Sequence, residues 1–167
     1  MLTIRQAEPS DAELIYAFVR ELAEYERLSH EVLATRDDLA EALFAPAPRV
    51  FCEIAEWDGA AAGFALWFYN FSTFRGRCGI YLEDLFVRPQ HRGRGIGKAL
   101  LAQLAGRCES EGLARLDWAV LDWNAPSIAF YEGLGARPQA DWITYRLTGP
   151  ALAALAGRKE EASTCSS

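Results

Sequence analysis

The chain has 167 residues, 51% of them apolar, which suits one compact α+β domain over residues 1–157 with a real core. Its 17 basic and 23 acidic residues leave a net charge of −6, which argues against nucleic acid or an anionic membrane as the main partner and suits a cationic small molecule. Cys52, Cys78, Cys108 and Cys165 are scattered and form no Cys-x-x-Cys pair, and the histidines are His30 and His91 alone, so neither a metal site nor a disulfide framework is expected. Apolar runs are too short to span a bilayer and Met1 to Arg5 shows no leader-like pattern, which makes a cytoplasmic protein the default expectation.

Leu2 to Ala7 alternates and reads as a strand. Ser10 with Glu13 predicts a capping box, and Leu14, Ile15, Phe18, Val19 and Leu22 then form a helical stripe running to about Tyr25. Thr35 with Asp38 predicts a second helix, closed by Pro46 and Pro48. Val50 to Glu56 reads as a strand, Asp58-Gly59 as a hairpin turn, Gly63 to Tyr69 as a buried strand, and Ile80 to Val87 as another, interrupted by Glu83-Asp84. A basic turn, Arg88 to Gly97, leads into a helix with Ile96, Leu100, Leu101, Leu104 and Cys108 on one face, ended by Gly112. Leu116 to Leu121 reads as a strand, Asn124 with Pro126 as the start of a short helix ended by Gly135, and Trp142 to Leu147 as a last strand. The polar tail 158–167 is expected to be disordered. Trp67, Phe68, Tyr69, Phe71 and Phe74 read as core and dimer surface, and Trp118 and Trp123 as packing residues.

Arg92-Gly93-Arg94-Gly95-Ile96-Gly97-Lys98 sits between a predicted strand and a predicted helix. Three alternate glycines leave main-chain amides bare beside the positive end of a helix, and Arg88, Arg92, Arg94 and Lys98 add charge, which together point to a phosphate or pyrophosphate. The nucleotide P-loop is excluded because Ala99, not Ser or Thr, follows Lys98; the dinucleotide fingerprint is excluded because the last glycine interval is one residue too short.

With that turn, Tyr81-Leu82-Glu83-Asp84-Leu85-Phe86-Val87, Asp122-Trp123-Asn124-Ala125-Pro126-Ser127-Ile128-Ala129-Phe130-Tyr131 and Glu21-Leu22-Ala23-Glu24-Tyr25-Glu26 make the chain resemble the GNAT acetyltransferases, in the branch of spermidine/spermine and thialysine N-acetyltransferases. The resemblance implies a mixed, mostly antiparallel sheet splayed at strands 4 and 5 and flanked by helices, acetyl-coenzyme A as co-substrate, and a homodimer. It implies that Leu85, Phe86 and Val87 face pantetheine, that Arg92, Gly93, Arg94, Gly95, Ile96, Gly97 and Lys98 hold the pyrophosphate, and that Asn124 and Ser127 line the coenzyme. Tyr25, Glu26, Glu83 and Asp84 would meet a small cationic amine. The hairpin at Trp57 to Ala60 and the loop from Arg137 to Asp141 look shorter than in that branch.

A substrate alkylamine, with a pKa of about 10.4, arrives protonated, so a base must take its proton before it attacks directly. Glu83 is the candidate base, because a carboxylate interrupting an apolar strand is rarely there without purpose. Tyr131, with an ordinary pKa of about 10, is matched to an alkyl thiolate and is the candidate general acid. By strict alternation Asp84 points to the opposite face from Glu83. Two other expectations stand beside this one: acetylation of a protein lysine or N-terminus, and a non-catalytic sensor of coenzyme A or an amine.

Overall fold

The computed structural model describes residues 1–157; the tail from 158 onward, where disorder is expected, lies outside the described residues. The chain forms two compact units, one from Met1 to Trp123 and one starting at Asn124. The first holds β1 (Leu2–Gln6), α1 (Ala12–Tyr25), α2 (Arg36–Phe44), β2 (Phe51–Trp57), β3 (Ala60–Ser72), β4 (Arg77–Val87), α3 (Ile96–Ser110) and β5 (Leu116–Trp118); the second holds α4 (Ala125–Gly133) and α5 (Gly149–Leu155). The strands lie in chain order, antiparallel through β4, with β5 parallel to β4. This is the mixed, mostly antiparallel sheet of an α+β fold that the resemblance implies.

Helices pack on both faces of the sheet. Ile15, Phe18 and Leu22, spaced to share one side of α1, meet Cys52, Ile54, Phe64, Leu66 and Phe86, with Leu43 of α2 beside them. Phe18 stacks on Phe64 with centroids 5.2 Å apart, and burying such a ring is worth about 1.5–3 kcal/mol. On the other face α3 buries Ile96, Leu100, Leu101, Leu104 and Cys108; its Arg107 lies 5.1 Å over the Trp67 ring and 3.7 Å from the buried Glu53. The β2–β3 turn is the predicted one, with Asp58 and Gly59 both at positive φ, the conformation that matches the twist of a two-residue hairpin.

Three expectations change. The first helix is not capped by Ser10 and Glu13: Pro9–Asp11 is a short 3-10 turn in which the Asp11 carboxylate accepts from the Glu8 amide at 2.8 Å, and α1 starts at Ala12. Asp11 wins because Arg5 of β1 holds it with two hydrogen bonds, at 2.7 and 2.9 Å, and these depress its carboxyl pKa. β5 is three residues long rather than six. Trp142 to Leu147 is not a strand: Trp142, Ile143 and Tyr145 are exposed, and a strand pattern with no ladder partner leaves its amides to water. The chain instead ends its described part in α5, which has a proline in its first turn.

At Gly63 the backbone of β4 leaves no room for a side chain on β3. A Cβ there would meet the Phe86 carbonyl oxygen at 2.4 Å and the Val87 Cα at 3.1 Å, both main-chain atoms that cannot swing away. Gly63→Ala should therefore lower stability by about 2–3 kcal/mol through overpacking, read in a thermal scan as a Tm loss of about 5–10 °C for a chain of this size.

Candidate active site

On β3 the neighbours Leu66 and Trp67 pair with Asp84 and Leu82 of β4, so Glu83 is an extra residue without a partner: a β-bulge. The parallel pairing with β5 covers Ile80 to Leu82 only. From Asp84 to Val87, β4 is laddered on its β3 side alone, and the sheet opens there along Leu85, Phe86 and Val87. An unpaired strand edge offers main-chain donors and acceptors to an extended ligand, as it would to another strand.

The bulge also breaks the alternation that put Glu83 and Asp84 on opposite faces. Asp84 pairs with Leu66 and so shares its face with Phe64 and Phe86, under α1, while Glu83 is exposed. Asp84 is half-buried, and its carboxyl is pushed up to about 7, first by burial and then by the charges of Glu83 and Glu26. Burial likewise raises Glu26, which caps the end of α1. The structure thus brings Glu26, Glu83 and Asp84 close enough for their charges to act on one carboxyl. Like charges gathered in one place favour a cation arriving between them.

Gly93 and Gly95 both have positive φ, 75° and 79°, and a Cβ on either would meet nothing within 4 Å. The cradle is open on its outer side, and glycine serves the backbone conformation. Gly95 caps α3 with no side-chain hydrogen bond, leaving the first amides of the helix directed outward without an intrahelical acceptor. That arrangement fits a diphosphate. The surrounding arginines are not equivalent. Arg88 is committed to the fold: it grips Glu21 at 2.7 and 2.9 Å, donates to the Ala61 carbonyl at 3.0 Å, and lies 4.6 Å over Phe18. Arg92 donates to the Val87 carbonyl at 2.9 Å and sits 4.7 Å over the Tyr25 ring, tying the glycine turn to β4 and to the end of α1. Arg94 lies 5.0 Å over Trp57.

The end of α1 holds residues that the sequence reading passed over. Leu28 donates to the Ala23 carbonyl and Arg27 to that of Glu24, a reversal that places Arg27 at φ 62°, where glycine is the usual occupant. A side chain there costs roughly 1 kcal/mol. The Arg27 guanidinium sits 5.5 Å over the ring of Trp123, which is 48% exposed and 6.3 Å from Tyr25. Trp123 read as packing; here it carries a cation. The available signal was a helix that stops at Tyr25-Glu26 with arginine where glycine or asparagine belongs.

The second unit carries Asn124, Ser127 and Tyr131. Asn124 is buried, 5% exposed, and its side-chain oxygen accepts from the Ser127 amide at 3.4 Å, which caps α4 as its position predicts. Tyr131 lies in the last turn of α4, partly buried, with its ring 5.3 Å from Phe130.

Comparison with known proteins agrees with this geometry. The chain is 37% identical to the mouse thialysine N-epsilon-acetyltransferase, over 93% of this chain and 97% of the relative. It is 32% identical to an Arabidopsis thaliana L-ornithine N5-acetyltransferase, over 91% and 86%. Among solved structures, an integron cassette protein from the mobile metagenome of V. cholerae superposes with a TM-score of 0.77 at 29% identity, over 93% of this chain and 97% of that one. Residues 13–136, which hold the bulge, the glycine turn and the capped α4, match the acetyltransferase (GNAT) family, and the chain belongs to that family.

Proposed function

We propose that this chain transfers the acetyl group of acetyl-coenzyme A to the primary amine of a small cationic substrate, of the diamine or thialysine-like kind. The observation that carries the proposal is the Asp84 carboxyl, held at about 7 beside Glu83 and Glu26 and next to the unpaired stretch of β4. Relatives named for thialysine, ornithine and spermidine/spermine acetylation support the acceptor class.

Bound acetyl-coenzyme A supplies an activated acetyl thioester. In this reading the amides of Gly93 to Lys98, with Arg92, Arg94 and Lys98, receive the diphosphate, and the backbone of Leu85, Phe86 and Val87 lies beside pantetheine. Asn124 and Ser127 line the coenzyme through the capped start of α4. Glu26, Glu83 and Asp84 draw in the substrate ammonium, with Tyr25 alongside. The titrating base moves from Glu83 to Asp84: a carboxyl at about 7 faces an ammonium at about 10.4 across roughly three pH units, half the gap left by an ordinary carboxylate. Burial, with the charges of Glu83 and Glu26 added to it, sets that value, and the three acids hold the cation. Tyr131 returns a proton to the departing thiolate. We take the working form to be a cytoplasmic homodimer, in keeping with the exposed Phe71 and Phe74 at the β3–β4 turn. No helix among the described residues is long and apolar enough to cross a membrane.

The direct test is a panel of small amines and lysine peptides with acetyl-coenzyme A, followed by thiol release and product mass. Small amines should turn over and peptides should not; the reverse would assign a protein acetyltransferase, and coenzyme binding without turnover would assign a sensor. Tyr131→Phe should lower kcat by about 100-fold or more, the range of a general acid, with coenzyme affinity retained. Full activity in that variant would remove Tyr131 from the chemistry.

The pH dependence follows from Asp84. Its catalytic form is the carboxylate, so kcat/KM should rise with pH through about 7. Glu83→Gln should move that limb to lower pH by removing a like charge, whereas a base at Glu83 itself would make the limb vanish. Stability runs the other way. The folded carboxyl binds its proton more tightly than the unfolded one, so its contribution is full below about 4 and declines until pH reaches about 7, by no more than about 4 kcal/mol. Asp84→Asn should therefore raise Tm at pH 8 while lowering kcat/KM by at least about 100-fold.

A further inference from the structure

We infer that Arg92 is a positioning residue: by closing the open edge of β4 at the Val87 carbonyl, it gives an extended arm on that edge a single register. This rests on the reading of the β4 edge as the seat of pantetheine.

The register of the ladder decides which main-chain groups of β4 face a ligand. Leu85, Phe86 and Val87 pair with Ala65, Phe64 and Gly63. In an antiparallel pair, successive residues direct their N–H and C=O alternately toward the partner strand and away from it. Phe86 turns toward β3: its carbonyl oxygen lies where a Cβ on Gly63 would meet it at 2.4 Å. The Arg88 amide, two residues on, also bonds back to β3, at the Ala62 carbonyl 2.9 Å away. Leu85 and Val87 therefore direct their N–H and C=O to the open edge. One of those four groups is already taken, because Nε of Arg92 donates to the Val87 carbonyl at 2.9 Å. The edge still presents a donor and an acceptor at Leu85 and a donor at Val87.

A local reversal brings Arg92 to that carbonyl. Pro89 opens a 3-10 turn in which His91 donates to the Arg88 carbonyl at 2.9 Å and Arg92 to that of Pro89 at 3.2 Å. The side chain is thus back at the end of the strand, while Gly93, at φ 75°, leads the main chain on into the glycine turn. The guanidinium carbon also lies 4.7 Å from the Tyr25 ring centre and 5.7 Å from that of Phe86, so one side chain meets both the end of α1 and β4. An arm with two amides, as pantetheine has, can pair with an uncapped edge in more than one register. Each slip is two residues, about 7 Å, which takes the thioester well beyond the roughly 3–3.5 Å at which an amine attacks. With the last acceptor closed, the outer register has no partner and the inner one remains. The Nε hydrogen bond does this whatever charge the guanidinium lends to the diphosphate.

Glutamine and lysine separate the hydrogen bond from the charge. The amide nitrogen of glutamine stands as many bonds from Cα as Nε of arginine and donates without charge; lysine keeps the charge but has a methylene at that place. With acetyl-coenzyme A and the best small amine of the panel, Arg92→Gln should keep kcat within about threefold of the wild type, while the KM for the coenzyme rises. Arg92→Lys and Arg92→Met should lose about tenfold or more in kcat, as a displaced reacting group does, with the fold intact in a thermal scan. S-acetylpantetheine has no diphosphate: with it Arg92→Gln should recover its deficit and Arg92→Met should stay impaired. Lysine restoring kcat where glutamine fails, a methionine penalty that disappears with S-acetylpantetheine, or three variants alike in kcat would overturn the assignment and leave acetyl transfer standing. Should the wild type acetylate no amine, the function proposed above falls, and amide exchange with coenzyme A decides the role of Arg92. Slowed exchange at Leu85 and Val87 in the wild type and Arg92→Gln, but not in Arg92→Met, supports it; the same response in all three overturns it.

Discussion

One unpaired residue, Glu83, organises this protein. By slipping the register of β4 against β3, the bulge sets Asp84 on the face under α1, and it coincides with the end of the ladder to β5, so the sheet opens. Main-chain groups of Leu85 to Val87 are then open to a ligand while remaining anchored by β3. The glycine turn follows five residues later, and Arg92 reaches back to the Val87 carbonyl. Strand edge, anion cradle and carboxylates are thus held within one unit by the same short stretch of chain.

This arrangement costs stability in two identifiable places. Asp84 is ionised with difficulty because burial and two neighbouring carboxylates oppose it. Arg27 occupies a backbone conformation that a glycine would adopt freely. Neither helps the fold, which is held by the Phe18–Phe64 stack, the α1 and α3 stripes and the Arg5–Asp11 and Arg88–Glu21 pairs. Features that work against stability and lie beside one opening are what the proposed binding and proton-transfer site requires. A cation resting among the carboxylates would relieve the first of these costs.

The architecture was legible in the sequence wherever it is set locally. Apolar spacing gave α1 and α3, Asp58-Gly59 gave the hairpin, and Asn124 gave the start of α4. The glycine turn was legible as a turn into α3 because its glycines lie within seven consecutive residues. What could not be read depends on distant partners. The bulge exists only because Leu66 and Trp67 pair as they do, so simple alternation misplaced Asp84 relative to Glu83. Asp11 displaced the expected cap because Arg5, on another strand, claims it. Trp142 to Leu147 has a strand's composition without a strand's partner, and the approach of Arg27 to Trp123 exists only once the chain is folded.

The central claim is that the β4 edge beyond the bulge and the turn at Gly93 to Lys98 together receive coenzyme A. Amide hydrogen exchange with and without coenzyme A reads both directly. Slowed exchange confined to segments containing Leu85 to Val87 and Gly93 to Lys98 is the outcome this account requires. Coenzyme binding that leaves those amides unchanged would contradict it.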